Sequence, residues 1–234
     1  MTRQKSRNLR THVVSFSGID GAGKSTQIAE LSARLVEAGL SVRVFAFWDD
    51  VATFKGLREF LSRALFRGES GVGTPTRPVN RRDKNVRSQP MTGFRFFLYF
   101  VDALSLRIVT AKASRTDVVI FDRYLYDELA NLNLDHPLTR TYVRLLLKMI
   151  PHPDVAYLLD VDPVQARARK PEYPLEFLHS NRASYLAVSK LAGRFIVVPS
   201  DSKPGAQRII AETILQRLSG RMQQPSYSEV LTGK

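Results

Sequence analysis

The sequence contains no cysteine. That excludes a disulfide framework, thiolate metal sites and a cysteine nucleophile, and it fits a reducing compartment, so a cytoplasmic location is the expectation. Its four histidines, His12, His136, His152 and His179, are scattered without metal-ligand spacing, and neither a zinc centre nor a Ser-His-Asp arrangement can be argued from them. No apolar run approaches the roughly eighteen residues a membrane span needs, and the apolar stretch at residues 12–16 is too short for a secretory signal. Neither a membrane segment nor a targeting device is expected. Acidic residues are in short supply: 22 Asp and Glu stand against 35 Lys and Arg, a net charge of +13. A surplus of that size points to a phosphate-bearing partner, whether nucleotide, nucleic acid or membrane surface.

What is present is a chain of 234 residues, 44% hydrophobic and 24% charged, the balance of a single α/β domain able to bury a core. Much of the positive surplus sits in two segments. Residues 1–11 form a basic tail with Arg3, Lys5, Arg7 and Arg10, and residues 67–93 combine a basic cluster with Gly68, Gly71, Gly73, Pro75, Pro78, Pro90 and Gly93, which reads as a flexible loop. Between and beyond them, apolar runs at 13–16, 41–47, 118–121, 155–159 and 195–198 read as strands. Helical patterns fall between them: Ile28, Leu31, Leu35 and Val36 on one face, a second helix from Phe54 with Leu57, Leu61 and Leu65, then 94–114, 138–150 and 205–218. Strands alternating with helices predict a five-stranded parallel sheet with helices on both faces, spanning residues 12–218, and a flexible tail over 219–234.

Gly18-Ile19-Asp20-Gly21-Ala22-Gly23-Lys24-Ser25 matches G-x-x-x-x-G-K-[ST] at every fixed position, and it lies between the first strand and the first helix. Glycines let backbone N–H groups converge on phosphate oxygens, the helix N-terminus adds positive potential, Lys24 can span transferring phosphates, and Ser25, followed by Thr26, can ligate Mg²⁺. Phosphoryl transfer also needs an acid near the metal, and Asp122 ends the third apolar run. Arg123 follows it directly, with a planar fork suited to a phosphate.

With these motifs in view, "FSGIDGAGKSTQ" at 16–27, "DRY" at 122–124 and "PDVAYLLDVDP" at 153–163 resemble the thymidylate kinase family of P-loop nucleoside-monophosphate kinases. The resemblance implies the P-loop kinase fold, ATP with Mg²⁺ as donor, a nucleoside monophosphate as acceptor with dTMP the first candidate, and a homodimer. It implies that Asp20 faces the acceptor sugar hydroxyl, that Arg123 holds the acceptor phosphate with Tyr124 beside it, and that a short lid spans about 165–182. Members with no basic residue before the last loop glycine carry the catalytic arginine in the lid. Ala22 puts this chain in that group, with Arg167 and Arg169 as the candidates; both also read as solvated residues on one helix.

The chain departs from the family on the acceptor side. Where members have Arg-Glu-Pro-Gly-Gly-Thr, residues 47–53 are Phe-Trp-Asp-Asp-Val-Ala-Thr. Trp48 and Asp49 stand at a strand's C-terminal edge, where α/β sheets bind ligands, and read equally as a substrate contact or a solvated turn. Tyr99 fits the family's base-stacking aromatic, or else the core; Ala103 replaces the arginine expected four residues later, and Asn131 and Leu132 stand where Tyr-Gln is usual. Two rival readings follow. One is a P-loop kinase acting on a hydroxyl of a nucleoside or other small molecule, with Asp49 or Asp50 as general base. The other is an NTP-binding module engaging nucleic acid through the basic segments, which their lack of aromatic interleaving argues against.

Overall fold

The computed structural model describes residues 11–54, 56, 89–113, 116–200 and 202–222. The basic segments at 1–10 and 67–88, the body of the helix expected after Phe54 and the tail at 223–234 lie outside the described residues. The five apolar runs form β1 (His12–Ser17), β2 (Val42–Ala46), β3 (Val118–Asp122), β4 (Val155–Asp160) and β5 (Phe195–Pro199). They make one sheet in the order β2-β3-β1-β4-β5, every neighbouring pair parallel.

Successive residues of a strand point to opposite faces, so a strand buried at every position must be covered on both sides. β1 from Val13, β3 through Phe121 and β4 through Leu159 meet that condition. The outer strands β2 and β5 are buried only in part. The cover is helical: α1 (Lys24–Glu37), α2 (Gln89–Lys112), α3 (Leu125–Leu129), α4 (Pro137–Met149), α5 (Pro163–Arg169), α6 (Leu175–Ala192) and α7 (Lys203–Met222). α1 buries Ile28, Leu31 and Leu35 of the expected stripe, whereas Val36, expected on the same face, is exposed. Among the described residues no helix is long and apolar enough to cross a membrane.

Several boundaries differ from expectation for physical reasons. α2 begins at Gln89, so residues 89–93 of the expected loop are helical. Pro90 is tolerated there because first-turn amides lack an intrahelical partner in any case. Phe54 itself is exposed coil at φ +55°, but Gly56 is helical, so the helix expected from Phe54 has its first described residue two positions later. α7 runs to Met222, past the expected end at 218. Residues 165–182, expected as a lid, run through the end of α5, a connection at 170–174 and the start of α6. A single π-helical turn (Phe47–Val51) follows β2.

The register positions the site. Asp122 pairs with Phe16 of β1 and with Ala46 of β2, so these three strands end side by side and their following loops emerge together at the C-terminal edge.

Candidate active site

The loop from Gly18 to Gly23 joins β1 to α1 through backbone that side chains disfavour. Gly21 has φ +86°, and a Cβ there would lie 2.3 Å from the carbonyl oxygen of Ala166, so α5 packs directly on the loop backbone. Gly23 caps α1 in the left-handed region at φ +90°, with nothing within 4 Å of where a Cβ would stand. The first-turn amides of α1 that follow it have no intrahelical partner and are the groups a phosphate uses. Ala22 is buried, and its N–H donates to the Ile19 carbonyl at 3.2 Å.

Lys24 is buried and donates through Nζ to the carbonyls of Gly18 at 2.7 Å and Ile19 at 2.9 Å. Burial, then the neighbouring Arg123, lowers its pKa to about 8, against the pull of Asp20, Asp127 and Asp122. Ser25 and Thr26, in the same turn, are exposed. Asp122 sits at the end of β3, and burial holds its carboxyl above the ordinary range although Lys24 and Arg123 work the other way. Among the described residues no group of three or more His, Asp or Glu side chains could hold a metal. Mg²⁺ sites at phosphates commonly use one or two protein oxygens, and a Ser25 hydroxyl with the Asp122 carboxylate fits that donor set.

Arg123 takes φ +68° and lies between two carboxylates. Its Nη2 pairs with Asp20 Oδ1 from the phosphate loop, and its Nη1 lies 3.6 Å from Asp127 Oδ1. Burial opposes its charge, but the Tyr185 oxygen and the carboxylates of Asp20, Asp127 and Asp122 raise its pKa above the ordinary arginine value. The structure therefore brings Asp20, Lys24, Asp122 and Arg123 into one cluster, as the motifs require.

Asp127 was not singled out by sequence. Its side chain is buried in α3 and accepts from Ser17 Oγ at 2.7 Å, Tyr185 OH at 2.7 Å and the Tyr124 amide at 3.0 Å. The available signal was an acid five residues after Asp122, which on its own reads as a solvated helix residue. Tyr124 needs a correction. It is fully buried and its hydroxyl donates to the Pro151 carbonyl at 2.6 Å, so it anchors the turn after β3 and presents no face to a substrate. Tyr99, 3% exposed, belongs to the core; of its two readings, the base platform has no open ring face here.

On the turn after β2, Trp48 and Asp49 are exposed, and Trp48 packs edge-on against Phe47. Asp50 accepts the Ala46 amide at 2.8 Å, so its carboxylate closes this turn. The next residues are tied to α2: the fully buried Asp102 accepts both the amide and the hydroxyl of Thr53, at 2.9 and 2.8 Å, and Ser105 donates to the Val51 carbonyl at 2.8 Å. Asp102 too was missed, because a lone acid on an apolar helix reads as its wet face.

Of the two lid candidates, Arg167 is half-buried on α5. Arg169 reaches the Ser200 carbonyl at 3.2 Å and Gln165 Oε1 at 3.3 Å, toward the end of β5. Arg182 of α6, within the expected lid range but not singled out, forms a two-pronged pair with Asp160 at 2.6 and 2.7 Å. Chemically, the arrangement offers an anion nest, two cations (Lys24 and Arg123) and three carboxylates (Asp20, Asp122 and Asp127) at one sheet edge, suited to binding and moving a phosphoryl group.

Known proteins bear on this arrangement. A family model described as methylmalonyl Co-A mutase-associated GTPase MeaB matches residues 1–57, the part that includes β1, the phosphate loop and α1. Broader similarity is to thymidylate kinases. That of Bifidobacterium longum (strain DJO10A) is 31% identical over 161 residues, covering 67% of this chain and 69% of its own. That of Leifsonia xyli subsp. xyli is 30% identical over 227 residues, covering 89% and 95%. A probable thymidylate kinase of Methanosphaera stadtmanae is 27% identical over 183 residues, covering 76% and 83%.

Proposed function

Because the chain belongs to the thymidylate kinase family of nucleotide kinases, we propose that it moves the γ-phosphoryl group of ATP onto the phosphate of a nucleoside monophosphate, with dTMP as the first acceptor. The observation that carries this reading is the convergence of the phosphate loop with Asp122 and Arg123, imposed by the pairing of Phe16 with Asp122. A donor site and a cation for a second phosphate thus stand at one edge.

In this reading the first-turn amides of α1, with Gly18, Asp20, Gly21, Ala22 and Gly23 shaping the loop, cradle the donor phosphates, and Lys24 leaves its loop carbonyls to span them. Ser25 and Asp122 would hold Mg²⁺, with Thr26 beside them, and the ion would supply neutralising charge to the phosphate oxygens. Arg123 orients the acceptor phosphate by its planar fork, and Asp20, paired to it, faces the acceptor sugar. Arg167 follows Ala166, whose carbonyl packs on Gly21, and is the first lid candidate for charge neutralisation; Arg169, the second, donates to the Ser200 carbonyl. Trp48 and Asp49 border the acceptor side. Most of the rate comes from positioning and charge neutralisation, with no covalent intermediate on the protein.

A homodimer is part of the proposal. Its support is an exposed apolar stripe on α2 at Phe97, Phe100, Leu104 and Ile108. The testing experiment is one ATP-consumption assay run over thymidine, dTMP and the other nucleoside monophosphates. Turnover with a monophosphate and not with thymidine supports the reading; turnover only with unphosphorylated compounds rejects it in favour of a hydroxyl kinase.

A further inference from the structure

Arg123 is a long side chain on strained backbone, and such a group serves a docking phosphate only if something fixes it. Asp20 of the phosphate loop bonds one side of the guanidinium directly, through Nη2, and Asp127 faces the other side through Nη1. Asp127 is the more heavily anchored of the two. Its two oxygens receive donors from three separate parts of the fold: Ser17 Oγ at the end of β1, the Tyr124 amide at the turn after β3, and Tyr185 OH from α6. Arg123 Nη1 faces Oδ1 of this three-bonded carboxylate at 3.6 Å, an ion pair rather than a hydrogen bond. All of Asp127, Ser17 and Tyr185 are buried, so none of the three hydroxyl or carboxylate groups trades partners with water.

We propose that Asp127, locked by Ser17, the Tyr124 amide and Tyr185, is the positioning residue that fixes the Arg123 guanidinium where the acceptor phosphate docks. This rests on the reading of Arg123 given under Proposed function. It makes α6, far along the chain, a contributor to acceptor recognition through one phenol. It also predicts a larger effect on acceptor than on donor affinity, since the Tyr185 hydroxyl bonds Asp127 and makes no hydrogen bond to Lys24, whose ammonium donates to the Gly18 and Ile19 carbonyls.

Tyr185→Phe tests this by deleting one hydroxyl at nearly constant volume, and Ser17→Ala removes the donor on the other oxygen if the first variant fails to fold. Acceptor KM with dTMP should rise about tenfold, as expected for loss of one buried hydrogen bond to a charged group. The kcat and the calorimetric affinity for a non-hydrolysable ATP analogue should stay within about twofold. On an Arg123→Ala background the same change should have no further effect on KM, because the phenol acts through that arginine. An equal loss on that background, or a parallel loss of ATP-analogue affinity, overturns the proposal. If the wild type turns over no monophosphate, the reading of Arg123 falls by itself, and crystals of Tyr185→Phe decide the positioning. A displaced or multiply placed guanidinium supports it; an unmoved one overturns it.

Discussion

Replacing Lys24 by methionine should change how stability depends on pH, with a sign and size set by the burial of this residue. The pKa is lowered from 10.5 in the unfolded chain to about 8 in the fold, chiefly by burial and next by Arg123. Between those two values the unfolded chain binds the extra proton, so stability rises with pH through the window. The gap between 10.5 and about 8 corresponds to roughly 3 kcal/mol in total, at most about 1.4 kcal/mol per pH unit. Buried tyrosines such as Tyr124 and Tyr185, whose pKa values burial pushes well up, act in the opposite direction above about pH 10. The clean interval is therefore from about pH 8 to about pH 9.5. Urea unfolding of both proteins across it should show wild type gaining about 2 kcal/mol relative to Lys24→Met. Adding Mg²⁺ with a non-hydrolysable ATP analogue should flatten that slope, since phosphate oxygens give the ammonium a partner. A difference that does not change with pH, or that falls as pH rises, refutes the argument that burial dominates this lysine.

Two other perturbations follow from the packing. Gly21→Ala should destabilise the fold by roughly 2 kcal/mol or more and abolish ATP-analogue binding, because its Cβ would meet the Ala166 carbonyl at 2.3 Å on backbone at φ +86°; thermal melting and calorimetry read both effects. Asp102→Ala should cost about 1 to 3 kcal/mol by stranding the amide and hydroxyl of Thr53, and chemical denaturation measures it.

The strands were legible because each is a short apolar run next to a turn signal, and three of the five, buried on both faces, need no alternation to be recognised. The phosphate loop and the Asp-Arg pair were legible because their chemistry is local in the chain. α6 was not legible: it touches neighbours on several sides and mixes Ser180, Asn181, Ser184 and Ser189 with its apolar residues, so no single stripe stands out. Asp127 and Asp102 were hidden for a related reason. Their donors come from 110, 58 and 49 residues away, and burial created by such distant partners leaves no mark on the local pattern. Tyr124 illustrates the reverse error, since a motif residue expected at the ligand is consumed by the carbonyl of Pro151.

The central claim is that phosphate passes from a nucleotide cradled at the start of α1 to a second phosphate held by Arg123. ³¹P NMR of ATP, Mg²⁺ and dTMP with the enzyme observes that transfer directly. The account predicts ADP and a new nucleoside diphosphate in equal amounts, with Lys24→Ala folded but inert. A signal on thymidine with none on dTMP, or near-normal transfer by Lys24→Ala, would contradict it.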